Sequence, residues 1–271
     1  VNWQQQEYKR VFREVVAELE RQHIHLYLDS RPEPFHEAFV QNFFNEEVFP
    51  FLAPVMIQKD DIRTFIRDRR LYLVIRMTKK RHAHNAQATE QPPYQYALMK
   101  IPYSKVPRFI ELPSHDGEYY IMFIDDIIRA NLSSIFPGYD IDSCYNIKIS
   151  RDADIYLEDE TSSSIVENIR KKLKKRKIGA LSRFMYDMSM PDDFLDFLCK
   201  AFNIAEEDLV KGGRYHNLQD LAKLPNPRGK SWNDKFLRLC EYLSWMKWVP
   251  CFGQSRNGMC SCIFHISRSI T

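Results

Sequence analysis

Through the first 26 residues the apolar positions Val11, Phe12, Val15, Val16 and Leu19 fall at i, i+1, i+4, i+5 and i+8 among charged neighbours, which predicts an amphipathic helix. No complementary surface is legible nearby, so the stripe is expected to stay exposed, its partners lying before Val1. A second, shorter helix is predicted after Pro32 and Pro34, with Phe35, Phe39, Val40, Phe43 and Phe44 on one side. An apolar extended stretch follows from Val48 to Ile57. The pattern then changes. Leu71 to Met77, Tyr94 to Ile101, Arg108 to Leu112, Glu118 to Phe123 and Tyr145 to Ile149 are short, rich in β-branched and aromatic residues and bounded by Pro or Gly, as strands are.

Helical spacing interrupts these strands twice. The first interruption, Ile124 to Ile135, ends at Pro137-Gly138. The second opens on Glu158, Asp159 and Glu160, has capping-box spacing at Ser164 and Glu167, and places Ile165, Ile169 and Leu173 on one stripe. A strand at Leu181 to Tyr186 and helices at Asp192 to Ala201 and Leu218 to Lys223 lead to "LPNPRGK" (Leu224 to Lys230), a Pro/Gly linker. Gly212-Gly213 reads as an isolated turn, and His82 to Pro93 as a mobile hairpin loop. Short strands and helices without strict βαβ alternation predict an α+β domain from about Leu26 to Pro225.

Composition narrows the class. The chain has 271 residues, 44% apolar and 28% charged, enough for one large domain or two small ones and unlike collagen-like, disordered or membrane-spanning sequences. A net charge of +3 gives no field for bulk binding of nucleic acid or a membrane surface, so any polyanion site must be local. Apolar runs such as "LYLVIRM" are broken by charge well short of the roughly 20 residues a bilayer requires. Before Ser231 the only cysteines are Cys144 and Cys199, which suits reduced thiols and a cytoplasmic setting. After it the vocabulary shifts: four of six cysteines and three of four tryptophans crowd the tail.

The strongest local charge feature is "RKKLKKRK", in which Arg170, Lys171, Lys172, Lys174, Lys175, Arg176 and Lys177 flank Leu173. These residues, with Arg151, are the candidates for holding a polyanion or forming an interface; the bland alternative is a solvated helix end whose positive charge suits the helix dipole. Asp152, Asp154, Glu158, Asp159 and Glu160 sit close together but lack the glycine and terminal spacing of an EF-hand, so no metal site is expected. The histidines at 23, 25, 36, 82, 84, 115 and 216 are scattered without zinc-ligand spacing, and neither GxxxxGK[ST] nor GxGxxG occurs.

Five ordered stretches, "EVFPFLAPVMI" (Glu47 to Ile57), "KIPYSKVPRFIELP" (Lys100 to Pro113), "FIDDIIRANLSSIFPGYDI" (Phe123 to Ile141), "IKISRDADI" (Ile147 to Ile155) and "YHNLQDLAKL" (Tyr215 to Leu224), resemble the middle, or head, domain of bacterial polyphosphate kinases. The resemblance covers about 230 of the 271 residues. It implies an α+β fold with a mixed, mainly antiparallel sheet and flanking helices, preceded by a helix of an N-terminal helical domain. The implied organisation is residues 1–26 as the end of that domain, 27–225 as the head domain, and 226–271 as a linker and remnant of the next domain. Such kinases reversibly move the terminal phosphoryl of ATP onto inorganic polyphosphate through a phosphorylated histidine, with Mg²⁺ and arginines neutralising charge. In the family those groups belong to domains that no residue here matches, so no catalytic residue is assigned, the chain is expected to be inactive, and neither ATP nor Mg²⁺ is expected to bind it. The head domain implies a homo-oligomer, with the basic helix from Ser164 to Lys177 at an interface or channel edge. The setting implied is cytoplasmic, with membrane association as a complex. The alternative is a non-enzymatic polyanion-binding or dimerisation module built on that helix.

The tail departs from the family, which continues with a proline-rich segment and "DVLLHxPYxSF". In a neighbouring reading frame, "GMCSCIFHISRSIT" (Gly258 to Thr271) permits "DVLLHFPYLSFYY", and "KFLRLCEYLSWMKWVPCFGQ" permits "SPPLRVSELDEVGSMFRP". A one-base frame error near Lys235 to Leu237 is therefore expected, the alternative being a genuinely divergent C-terminus. That reading turns the cysteine-rich and tryptophan-rich tail into a misread frame and removes its case for a metal or disulfide module.

Overall fold

The structure, a computed structural model, describes residues 2–57, 66–68, 70–80, 93–151, 181–216 and 218–227. Helix α1 (Asn2–Arg21) is the predicted amphipathic helix, but it stops before residue 26: His23 takes a left-handed φ of 61° and the chain turns into strand β1 (Ile24–Tyr27). The β-branched and alternating "IHLY" can therefore join a sheet, which the sequence reading had absorbed into the helix. The expected exposure of the α1 stripe is also corrected. Val15 and Leu19 are each 1% exposed, packed with Ile24, Leu26, Phe109, Ile121, Phe123, Leu221 and Leu224.

Helix α2 (Pro34–Phe43) begins with proline at its first position, where the missing N–H costs nothing. The stretch from Val48 is not extended throughout: Phe44–Val48 is a π-helical turn and Phe49–Phe51 a 3₁₀ turn before strand β2 (Pro54–Met56). The strands predicted from the apolar runs are present as β3 (Arg70–Lys79), β4 (Gln95–Lys100), β5 (Phe109–His115) and β6 (Glu118–Phe123). Asp116 and Gly117, both at positive φ, form the tight connection between β5 and β6, the chemistry a two-residue hairpin demands. The predicted helix after β6 is split by Asn131 into α3 (Ile124–Ala130) and α4 (Leu132–Ile135). Strand β7 (Tyr139–Arg151) is longer than its apolar core suggested, followed by β8 (Leu181–Asp187), α5 (Asp192–Phe202) and β9 (Leu209–Gly212). Residues Leu218–Lys223 form a 3₁₀ rather than an α-helical segment, and Gly212 ends a strand rather than forming an isolated turn.

The strands make two sheets, β1-β6-β5 and β2-β4-β3-β7-β8-β9, antiparallel except for the β1–β6 and β8–β9 pairs. This is the mixed, mainly antiparallel α+β architecture expected. Strand β3 lies inside the larger sheet and is covered on both faces, which is why it reads as a continuous apolar run. Leu71, Leu73 and Ile75 face a core shared with Val40, Phe44, Met122 and Ile127, while Tyr72 and Val74 face a second core closed by Phe194, Leu198 and Phe202 of α5. Arg76 seals the rim of that second core. Its Nε donates to Asp142 at 2.6 Å, its guanidinium reaches Asp193 at 2.7 Å and its carbon end lies 4.7 Å from the Tyr94 ring centre.

Candidate functional site

A connected set of buried polar side chains joins segments far apart in sequence. Asp125, at the first turn of α3, is 0% exposed; its Oδ2 accepts from Arg108 Nη2 at 2.9 Å and from Asn146 Nδ2 at 2.7 Å. Arg108 also donates to the His216 carbonyl at 3.2 Å and lies 3.4 Å from Asp220. Next to it in sequence, Asp126 accepts from Arg129 and, at 2.6 Å, from the Tyr215 hydroxyl. Arg129 donates onward to Asn146 Oδ1 at 2.6 Å, closing a ring through both aspartates. Tyr215 Oη accepts from the Asp29 N–H at 2.7 Å, and its ring stacks on Phe123 at 4.2 Å. Arg214 pairs with Asp29 and lies 3.6 Å from Asp187, whose other oxygen caps the turn at Ser189.

Each member is held by a regular element. The helix α3 presents Asp125 and Asp126 where carboxylates suit the positive end of the helix, while Ile124, Ile127 and Ile128 anchor the turn in the core. Asn146 sits on central strand β7, fully buried. Residues 214–216 follow β9 directly and are pressed into place, since a Cβ on Gly212 would stand 2.7 Å from His216 Cε1. A glycine is thus required there for close approach, not for a special φ.

Electrostatics sort the roles. His216 donates Nε2–H to the Asn146 carbonyl at 3.0 Å, and burial holds its imidazole down at about 4, so it is neutral near pH 7. Burial pushes the Asp126 carboxyl up against the opposing pull of Arg129 and the Tyr215 hydroxyl. Burial likewise raises Tyr215, reinforced by Asp126. Arg129 stays charged: burial works against it, but Asp126, Cys144, Asp125 and Tyr215 together raise it. Five polar atoms, Arg108 Nε, Asp125 Oδ1, Arg129 Nε, Asp187 Oδ2 and Arg214 Nε, have no hydrogen-bond partner among the described residues. Such a network contributes little net stability against an apolar alternative, but removing one member strands a buried charge. It ties Tyr215 to α3 through Asp126 and His216 to β7 through the Asn146 carbonyl.

A second polar group lies on the outer end of the small sheet. Glu118 bridges His23 Nδ1 at 2.7 Å and His25 Nε2 at 2.8 Å, and the bonds from His25 and His23 hold its carboxyl below the usual range. His36, by contrast, is 1% exposed and fully used: Nε2–H donates to the Pro113 carbonyl at 2.8 Å and Nδ1 accepts from the Tyr27 hydroxyl at 3.0 Å. Among the described residues, His23 and His25 thus meet through Glu118 where the sheet pairs β1 with β6. Among the described residues no group of three or more His, Cys, Asp or Glu side chains could hold a metal ion.

Arg170, Lys171, Lys172, Lys174, Lys175, Arg176 and Lys177, the acidic stretch from Asp152 to Glu160 and the loop from His82 to Pro92 lie outside the described residues, as does the tail from Arg228. Arg151 closes β7 and pairs in register with Leu181. None of the buried network was singled out from sequence. One signal was present: Arg108, the Asp125-Asp126 pair with Arg129, and the Tyr215-His216-Asp220 group each fall inside one of the five stretches that carry the family resemblance.

A family model described as the polyphosphate kinase middle domain matches residues 36–224. The chain belongs to the polyphosphate kinase family. It is 32% identical over 228 residues to the polyphosphate kinase of Vibrio cholerae and 29% identical over 228 residues to that of Escherichia coli K12, in each case covering 82% of this chain. A crystal structure of polyphosphate kinase from Porphyromonas gingivalis superposes with a TM-score of 0.67 at 38% identity, over 84% of this chain and 31% of that one. The chain spans 31% of the length of the V. cholerae relative. The matched middle-domain span contains every member of the buried network except Asp29. In this polyphosphate kinase domain, then, the network joins the domain's last segment to its central strand. No helix among the described residues is long and apolar enough to cross a membrane.

Proposed function

We propose that this chain is the structural middle of a polyphosphate kinase whose whole protein reversibly transfers the terminal phosphoryl of ATP to inorganic polyphosphate through a phosphohistidine, with Mg²⁺. The observation that carries this reading is the match across residues 36–224 to the middle domain of a family whose relatives extend well beyond it. In this reading residues 1–26 belong to the end of an N-terminal helical domain, 27–225 form the head domain, and 226–271 are a linker and an out-of-frame remnant. The polypeptide itself is a scaffold: it self-associates through the head domain and holds its last segment, Arg214 to Leu224, at a defined angle through the buried network. The basic residues 170–177 serve that interface or hold polyphosphate. The whole protein works in the cytoplasm, with membrane association as a complex.

Two measurements test this. Incubation with ATP and Mg²⁺ is expected to yield no polyphosphate, and sedimentation is expected to find a dimer. Polyphosphate synthesis by this chain would overturn the scaffold assignment, and a monomer at all accessible concentrations would overturn self-association. Changing Lys171, Lys172, Lys174 and Lys175 together to Ala separates the alternatives, since loss of salt-dependent polyphosphate affinity favours a binding helix and unchanged affinity an interface. The coding DNA from Pro225 onward decides whether the tail is misread.

A further inference from the structure

Three cations meet around one tyrosine at an end of the six-stranded sheet. Lys100 stands directly across from Tyr72 in the β3–β4 ladder, so the two side chains share a face. Arg70, two residues before Tyr72 on the same strand, points to that face as well. The chain before β3 folds back over it, since the Arg67 N–H donates to Tyr72 Oη at 2.7 Å. Arg70 is steadied by Tyr103, whose hydroxyl is 3.4 Å from Nη1 and whose ring centre is 5.8 Å from the guanidinium carbon. Among the described residues none of the three cations pairs with a carboxylate, and after burial the charges acting on Lys100 are those of Arg70 and Arg67.

We propose that Arg67, Arg70 and Lys100 form a binding site for a multiply charged phosphate oxyanion, with Tyr72 and Tyr103 fixing its floor. Folding brings like charges together here with no compensating carboxylate among the described residues. Burial and the two guanidiniums depress the Lys100 ammonium below the usual lysine range, the mark of a cation held where its charge is disfavoured. A bound anion reverses the sign of each of these interactions. Two guanidiniums offer planar, forked donors that match phosphate oxygens, and a lysine adds a point charge, so a ligand with several oxygens and several charges suits the set better than one carboxylate. The site uses none of the basic residues 170–177 and no member of the buried network. Its existence stands on the geometry, while the choice of phosphate among polyanions rests on the family reading.

The test titrates the 271-residue chain with inorganic tripolyphosphate, using citrate as a phosphorus-free trianion, and follows heat of binding and thermal unfolding. Tripolyphosphate is expected to bind and to raise the Tm. Lys100→Met should weaken that binding about tenfold, as loss of one charge-assisted bond does, while raising the Tm of the ligand-free chain because a repelled ammonium is gone. Lys100→Arg should keep the affinity. Arg67→Gln, on an exposed side chain, should also weaken binding and serves if Lys100→Met does not fold. Unchanged tripolyphosphate affinity in Lys100→Met or Arg67→Gln, or a ligand-free Lys100→Met chain less stable than the parent, overturns the site. Equal citrate binding with the same sensitivity to substitution overturns the phosphate assignment. These responses do not depend on self-association, so failure of the scaffold reading registers separately, in sedimentation.

Discussion

Mild acid should weaken this fold through His216. The imidazole is 3% exposed and its titration is held down at about 4 from an ordinary 6.5, chiefly by burial, with the bond to the Asn146 carbonyl and the charges of Asp187 and Asp125 acting the other way. Above pH 6.5 the ring is neutral in both folded and unfolded chains, and its contribution to stability is fully present. Between 6.5 and about 4 the unfolded chain takes up a proton that the folded chain refuses, so stability falls with pH at up to about 1.4 kcal/mol per unit, a total of about 3 kcal/mol. Asp126 and Asp220, whose carboxyls burial raises in the folded state, work in the opposite direction, so the acid response of the parent chain alone does not isolate the histidine. The informative quantity is the difference between the parent and His216→Gln, which keeps an N–H donor for Asn146 but cannot charge. Urea unfolding from about pH 7.5 to about pH 4.5 should show the two stability curves converging by about 2.5 kcal/mol. Curves that stay parallel across that window would refute the reasoning.

Other substitutions probe the same framework. Asp125→Ala strands Arg108 and Asn146 and should cost about 3–5 kcal/mol in urea unfolding, most of it recovered when Arg108→Met accompanies Asp125→Leu; a cost under about 1 kcal/mol would show that the pair is not enclosed. Leu19→Ala should cost about 2–5 kcal/mol because α1 packs on this chain's own small sheet, whereas an unpartnered helix would lose almost nothing. Gly212→Ala drives a Cβ against His216 and should lower stability by about 1–3 kcal/mol, much less in a chain already carrying His216→Ala; equal costs in both backgrounds would remove the steric explanation. Tyr27→Phe leaves His36 Nδ1 and the Glu33 N–H without their shared partner and should cost about 1 kcal/mol, with a neutral result pointing to replacement of both bonds.

The elements easiest to read were those whose burial obeys one period. "EYYIMF" and "DDFLDFLCKAF" carry strand and helix signals that tertiary packing only confirms, so β6 and α5 stand where the pattern put them. The misses have physical causes. "IHLY" is too short to separate from a preceding helix by periodicity, and it becomes a strand because β6, 93 and 95 residues away at the Glu118 contacts, offers a parallel edge. Leu209–Gly212 is likewise made a strand by its pairing with β8. The basic run Arg170 to Lys177 was the most legible charge feature because its members are adjacent in sequence, and the described residues do not include it.

Buried charge is the harder case, because its local signature is that of a solvent-exposed residue. Two aspartates in the first turn of a helix are what the dipole favours at any surface, and nothing within "FIDDII" tells that Asp125 will be 0% exposed. What distinguishes it is the absence of a polar face around it: Ile124, Ile127 and Ile128 flank both acids, so the helix has no solvent side at that turn, and compensation must arrive from elsewhere. It arrives from Arg108, Asn146 and Tyr215, 17, 21 and 89 residues from the acids they meet. An acid pair enclosed in an apolar helix is therefore itself a prediction of distant polar partners, Arg108 among them, beside the local Arg129. The converse holds at Lys100, where among the described residues Arg67, Arg70 and Lys100 pair with no acid, and the anion we propose supplies the missing negative charge.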